Sequence, residues 1–172
     1  MIISLIQISL LCFICYQDFR YRSVSALHFC FLIIISLIQG VINNHPGAFF
    51  LFLGINVTFL FFLISAVTIY FSLKNRKIIN ILDTYLGWGD VIFFISLCFM
   101  FSPVNFIIFF TTSLMISLVI SGIIKLFRSK YQHIPLAGIM ASLLIPVLTV
   151  SIIYKQACFS DVKIMSLITQ IL

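Results

Sequence analysis

The chain has 172 residues, of which 63% are hydrophobic and 8% charged. A soluble domain averages about a quarter charged residues, and no water-soluble fold of this length hides so much apolar side chain, because a small domain keeps much of its surface wet. The net charge of +6 comes from ten Lys and Arg against four acids, and the basic residues stand in short clusters between apolar runs, a pattern that encodes membrane topology rather than a nucleic-acid-binding face.

Taken in chain order, the apolar runs predict an all-α integral membrane protein of about six transmembrane helices, in a single domain over residues 1–172. A membrane helix needs about 20 apolar residues. The first run covers 1–19 and lacks the basic start and small-residue cleavage site of a signal peptide. The second covers 26–42 and ends at the turn signal Asn43-Asn44-His45-Pro46-Gly47. The third covers 48–73 and is stopped by Lys74, Arg76 and Lys77. Residues 78–86 carry Ile78, Ile81, Leu82, Tyr85 and Leu86 at helical spacing, which fits an interfacial helix or the lead-in to the next span. A fourth helix over 84–102 would set Asp90 one to two turns inside it. The fifth covers 104–124 and the sixth 135–154.

Cytoplasmic loops carry the excess of Lys and Arg. With the N-terminus outside, the inner loops hold Arg20, Arg22, Lys74, Arg76, Lys77, Lys125, Arg128 and Lys130, and the outer side holds Lys155 and Lys163. The five Cys include a C-x-x-C at Cys12 and Cys15, but it lies inside an apolar helix that disfavours the thiolates needed for zinc or redox chemistry. These read as small packing residues. His28, His45 and His133 are scattered, so neither a metal site nor a cofactor is expected.

All four acids are aspartates: Asp18, Asp83, Asp90 and Asp161. Asp18 closes the first helix on the cytoplasmic side and Asp90 opens the fourth, with two crossings between them. Both therefore face one leaflet at similar depth. Ionisable residues at membrane depth are expensive, by about 2.5–3.5 kcal/mol on insertion scales, and are functional candidates for that reason. Two carboxylates held together share a proton. The ionised one can then activate water while the protonated one supports the oxyanion or leaving amine. Gly87 and Gly89 bracket the approach to Asp90; glycine permits unusual backbone angles and close approach of another chain. Simpler readings stand beside this one. Asp90 can be a favourable acid at a helix N-terminus, and Asp18 can pair with Arg22. Asp83 reads as interfacial and solvated. Trp88 reads as an interface anchor or a residue lining the cleft.

Gly87-Trp88-Gly89-Asp90 matches the GxGD pattern of intramembrane aspartic proteases. Asp18-Phe19-Arg20-Tyr21-Arg22-Ser23-Val24 resembles the first catalytic segment of type IV prepilin peptidases, and His133-Ile134-Pro135-Leu136-Ala137-Gly138 resembles the stretch that opens their last helix. The resemblance covers nearly the whole chain. It implies a six-helix enzyme of the cytoplasmic membrane that cuts the short basic leader from prepilin-like or pseudopilin-like precursors, with Asp18 and Asp90 as the catalytic carboxylates. Arg20, Arg22 and Trp88 then become candidate substrate contacts. Many larger members carry a domain with paired C-x-x-C motifs and N-methylate their product; this chain looks like the peptidase-only form. It departs from the family at Ile92, where a Lys is usual, and at Ser25-Ala26, where Pro-Asn is usual. The alternatives are a non-enzymatic carrier or assembly component of a pilus or secretion system, or an inactive relative that binds leaders. A proton path has no use for the glycine bracket at Asp90.

Overall fold

The computed structural model of the protein describes residues 2–21, 24–43, 46–77, 87–127 and 136–153. Arg22, His45, Asp83, His133 and Asp161 lie outside the described residues. The described residues form α-helices and no strand: α1 (Ile2–Tyr21), α2 (Ala26–Asn43), α3 (Pro46–Asn75), α4 (Trp88–Cys98), α5 (Pro103–Phe127) and α6 (Leu136–Ile153). Four stretches, Ile2–Tyr21, Gly47–Asn75, Pro103–Ile123 and Leu136–Ile153, are long and apolar enough to cross a bilayer. Large apolar side chains face outward, with Phe61 and Phe62 each 72% exposed. Water would penalise such a surface, and lipid does not.

The neighbour pairs α1–α2, α2–α3, α3–α5, α5–α6 and α6–α1 close a ring, and α4 touches α2, α3 and α6 from within it. The sequence accounts for much of this packing. On α1 the buried residues are Ser4, Gln7, Leu11, Ile14 and Asp18, spaced by three and four residues along one face. That face lies along α6, whose Ala137, Gly138 and Ala141 are small and buried. Small residues let membrane helices approach closely. Near the start of α1, Gln7 donates to Ser36 Oγ (3.2 Å) and Gln39 donates to Ser4 Oγ (3.3 Å), tying α1 to α2. Between α2 and α3, Gly40 leaves room for the buried ring of Phe49, which occupies the space where a Cβ would be.

Both α3 and α5 begin with proline, which suits the first helical position because its φ is already helical and its missing N–H would have no partner there. The far end of α3 closes with Arg76 at φ 51°, the one non-glycine with positive φ among the described residues. Arg76 N–H donates to Leu73 O (3.3 Å) and Lys77 N–H to Ser72 O (3.3 Å). This is the Schellman pairing, with arginine where glycine is usual.

The fourth helix differs from the expectation of 84–102. Gly87 is extended (φ −70°, ψ 145°), and the helix runs for 11 residues from Trp88 to Cys98. That is about 16 Å, roughly half the ~30 Å hydrocarbon core. The apolar run continues past Cys98, so hydropathy gives no stop signal there. Asn56 of α3, 1% exposed, meets this end of the helix and donates its side-chain amide to Cys98 O (3.1 Å) and Phe101 O (2.8 Å). The chain turns at Phe99 and Met100 through bonds to Ser96 O and Leu97 O and re-enters a helix at Pro103. Asp90 therefore sits in the first turn of α4, not one to two turns inside it.

Candidate active site

Asp18 projects from the last turn of α1 and is 7% exposed. Asp90 projects from the first turn of α4 and is half-buried. Both reach the N-terminus of α6. Asp18 Oδ2 accepts the Gly138 backbone N–H at 2.5 Å, and Asp90 Oδ1 accepts the Ala137 backbone N–H at 3.2 Å. Two carboxylates from distant helices thus occupy consecutive amides of a third.

The chemistry of that meeting point follows from α6 itself. The first N–H groups of a helix have no intrahelical partner and carry the positive end of its dipole, so they favour anions. Here the acceptors are two carboxyl side chains of the protein itself. Asp18 Oδ1 stays outside these two bonds, and Asp90 accepts a further backbone hydrogen bond from Gly87.

Gly138 is part of the site by virtue of having no side chain. A Cβ there would stand 2.9 Å from Asp18 Oδ2 and 3.1 Å from Asp18 Cβ, closer than two such atoms can sit without displacement. The sequence reading placed Gly138 in a suggestive segment but gave it no role. The available signal was Pro135 with Ala137 and Gly138 shortly after it, which marks a helix start able to accept a neighbour's carboxylate.

The glycines of the GxGD segment behave differently from the expectation. No described glycine has a positive φ, and Gly87 is ordinarily extended. A Cβ at Gly87 would lie 3.5 Å from Asp90 Oδ2, and one at Gly89 would lie 3.8 Å from Phe29. These are ordinary contacts. Neither backbone freedom nor a missing Cβ is therefore required at these positions.

Arg20 is exposed and engaged with aromatic neighbours. Its Nη1 donates to the Tyr16 hydroxyl, and its guanidinium lies over the Tyr16 and Tyr21 rings at 5.7 and 5.5 Å. Trp88 is 59% exposed at the start of α4. Ile92, one turn further in, packs half-buried against the core. Cys12 and Cys30 are exposed, Cys15 is half-buried, Cys98 is buried, and all four are free. Among the described residues no group of three or more His, Cys, Asp or Glu could hold a metal. Asn56, which meets the end of α4, also escaped the sequence reading; its signal was a polar side chain in the middle of a long apolar helix.

Compared with models of protein families, with curated proteins and with solved structures, the chain matches none.

Proposed function

We propose that the protein is an intramembrane aspartic endopeptidase that removes a short basic leader from prepilin-like membrane precursors. The observation that carries this reading is the convergence of Asp18 and Asp90 on the adjacent amides of Ala137 and Gly138. Structural acids are usually satisfied one at a time by a cap or a cation. Here two acids from different helices meet at adjacent amides of a third.

In this reading the ionised carboxylate takes a proton from water, and the water oxygen bonds to the scissile carbonyl carbon. The protonated carboxylate supports the developing oxyanion. Collapse breaks the C–N bond, and the proton passes to the leaving amine. The Gly138 and Ala137 amides orient the carboxylates throughout. Arg20 and Trp88, both exposed beside the pair, contact the precursor near its cut site, as does Arg22. The N-terminus lies outside, the pair faces the cytoplasm, and the protein resides in the cytoplasmic membrane, because eight of the ten basic residues then lie inside. Six membrane helices are part of this reading, although α4 has about half the length of a full span and α2 falls just short of the four long apolar stretches.

The test is co-expression with tagged pilin-like, pseudopilin-like and flagellin-like precursors, read as a gel shift on leader loss. The expected result is a shift with at least one precursor that disappears with Asp18→Asn and with Asp90→Asn. A shift that persists in either variant overturns the assignment.

A further inference from the structure

The short central helix is fastened at both ends by single side chains. At its N-terminal end Asp90 binds α6 through Ala137 N–H (3.2 Å). At its C-terminal end Asn56 of α3 binds Cys98 O (3.1 Å) and Phe101 O (2.8 Å). Between them runs a rod of 11 residues, with Phe93, Phe94, Ser96, Leu97 and Cys98 buried in the ring. From Asp90 to Cys98 the rod measures about 12 Å at 1.5 Å per residue.

The last carbonyls of a helix lack intrahelical partners. Lipid offers none, so backbone that leaves the helix at membrane depth must be satisfied within the protein. Asn56 does this for α4 and for the turn that follows, where Met100, Phe101 and Ser102 are all buried. Asn56 is itself an expensive choice, since its Oδ1 is buried without a hydrogen-bond partner and an apolar side chain would suit the site better on packing grounds alone. Its donor pair is what the position uses.

We propose that Asn56 is a positioning residue for Asp90: by fixing where α4 ends, it sets the level at which Asp90 meets Asp18. This rests on the peptidase reading for its kinetic consequence but not for its geometric one. A helix freed at its C-terminal end can slide or tilt along its axis. A misplacement of about 1 Å at a reacting group can cost on the order of 10²-fold in rate. Asn56 hydrogen-bonds neither aspartate, and the carbonyl it holds at Cys98 lies about 12 Å from Asp90 along the rod, so its effect falls on the chemical step and not on precursor binding.

The test has two arms. In the first, Asn56→Leu, Asn56→Asp and the control Leu60→Ala are assayed for cleavage of a synthetic precursor with a basic leader and an apolar helix, reconstituted in vesicles. Leu60 is buried one turn along α3, so its truncation loosens the same helix without touching α4's carbonyls. In the second arm, Asp18→Cys and Asp90→Cys are combined in a chain whose five native cysteines are replaced, and the yield of a short thiol cross-linker is compared with and without Asn56→Leu. The expected result is a fall in kcat of tenfold or more for both Asn56 variants, with KM within about twofold, and a lower cross-link yield. Leu60→Ala should leave kcat and KM near the parental values. Unchanged kcat and cross-linking in Asn56→Leu, or equal losses in Leu60→Ala, overturn the proposal. If the parent chain cleaves no precursor, the peptidase reading fails, and the cross-linking arm alone decides the role of Asn56.

Discussion

Gly138 and Asp18 are in contact twice over: the Gly138 amide donates to Asp18 Oδ2 at 2.5 Å, and the empty Cβ position of Gly138 lies 2.9 Å from that same oxygen. The hydrogen bond and the missing methyl are one arrangement, because only a residue without a side chain lets the carboxylate come down onto the helix start.

Gly138→Ala should therefore damage the site, and Gly87→Ala should not. The alanine methyl at 138 must push Asp18 or separate α1 from α6, at about 1–3 kcal/mol for overpacking. At 87 the added methyl stands at ordinary distance from Asp90. Thermal unfolding in detergent together with leader cleavage separates the two: loss of both is expected for 138, with near-parental values for 87. Equal tolerance at the two positions would show that the close approach at Gly138 is not needed.

A similar argument applies at Gly40, which has no part in the chemistry. The Phe49 ring is fully buried and fills the space of the missing Cβ. Gly40→Ala should destabilise the α2–α3 pair by about 1–3 kcal/mol, and Phe49→Leu in the same chain should recover part of the loss. A double variant no better than Gly40→Ala alone would mean that the two residues do not share that space. The measurement is the unfolding midpoint of the three variants.

Arg76 carries a backbone conformation that L-residues resist, at about 1–2 kcal/mol. Arg76→Gly should raise stability by about 0.5–1 kcal/mol, since φ 51° suits glycine. Lys74 and Lys77 remain to hold the charge bias, so the orientation should persist. Unfolding midpoints and a protease-protection assay of the termini report the two effects separately.

Much of this architecture was legible from hydropathy because lipid leaves the chain little choice: apolar runs of span length become helices. Counting crossings predicted Asp18 and Asp90 at one level, and both side chains reach the start of α6. The length of α4 was not legible, because Phe99 to Phe101 read as apolar and the group that meets its end, Asn56, belongs to α3. The position of Asp90 in the first turn followed from that same error. The role of Gly138 was hidden for a related reason. A glycine's meaning depends on which side chain sits against it, and Asp18 is 120 residues away in the chain. Conversely, Gly87 and Gly89 drew attention through their pattern, whereas their backbone angles are ordinary.

The central claim is that Asp18 and Asp90 act as one catalytic unit. The most direct measurement is leader cleavage by Asp18→Asn, Asp90→Asn and the double variant, each purified and shown to keep its helix content. Residues acting as a unit lose activity non-additively. The account predicts that each single variant falls to background and that the double variant falls no further. Cleavage by either single variant at close to the parental rate would contradict it.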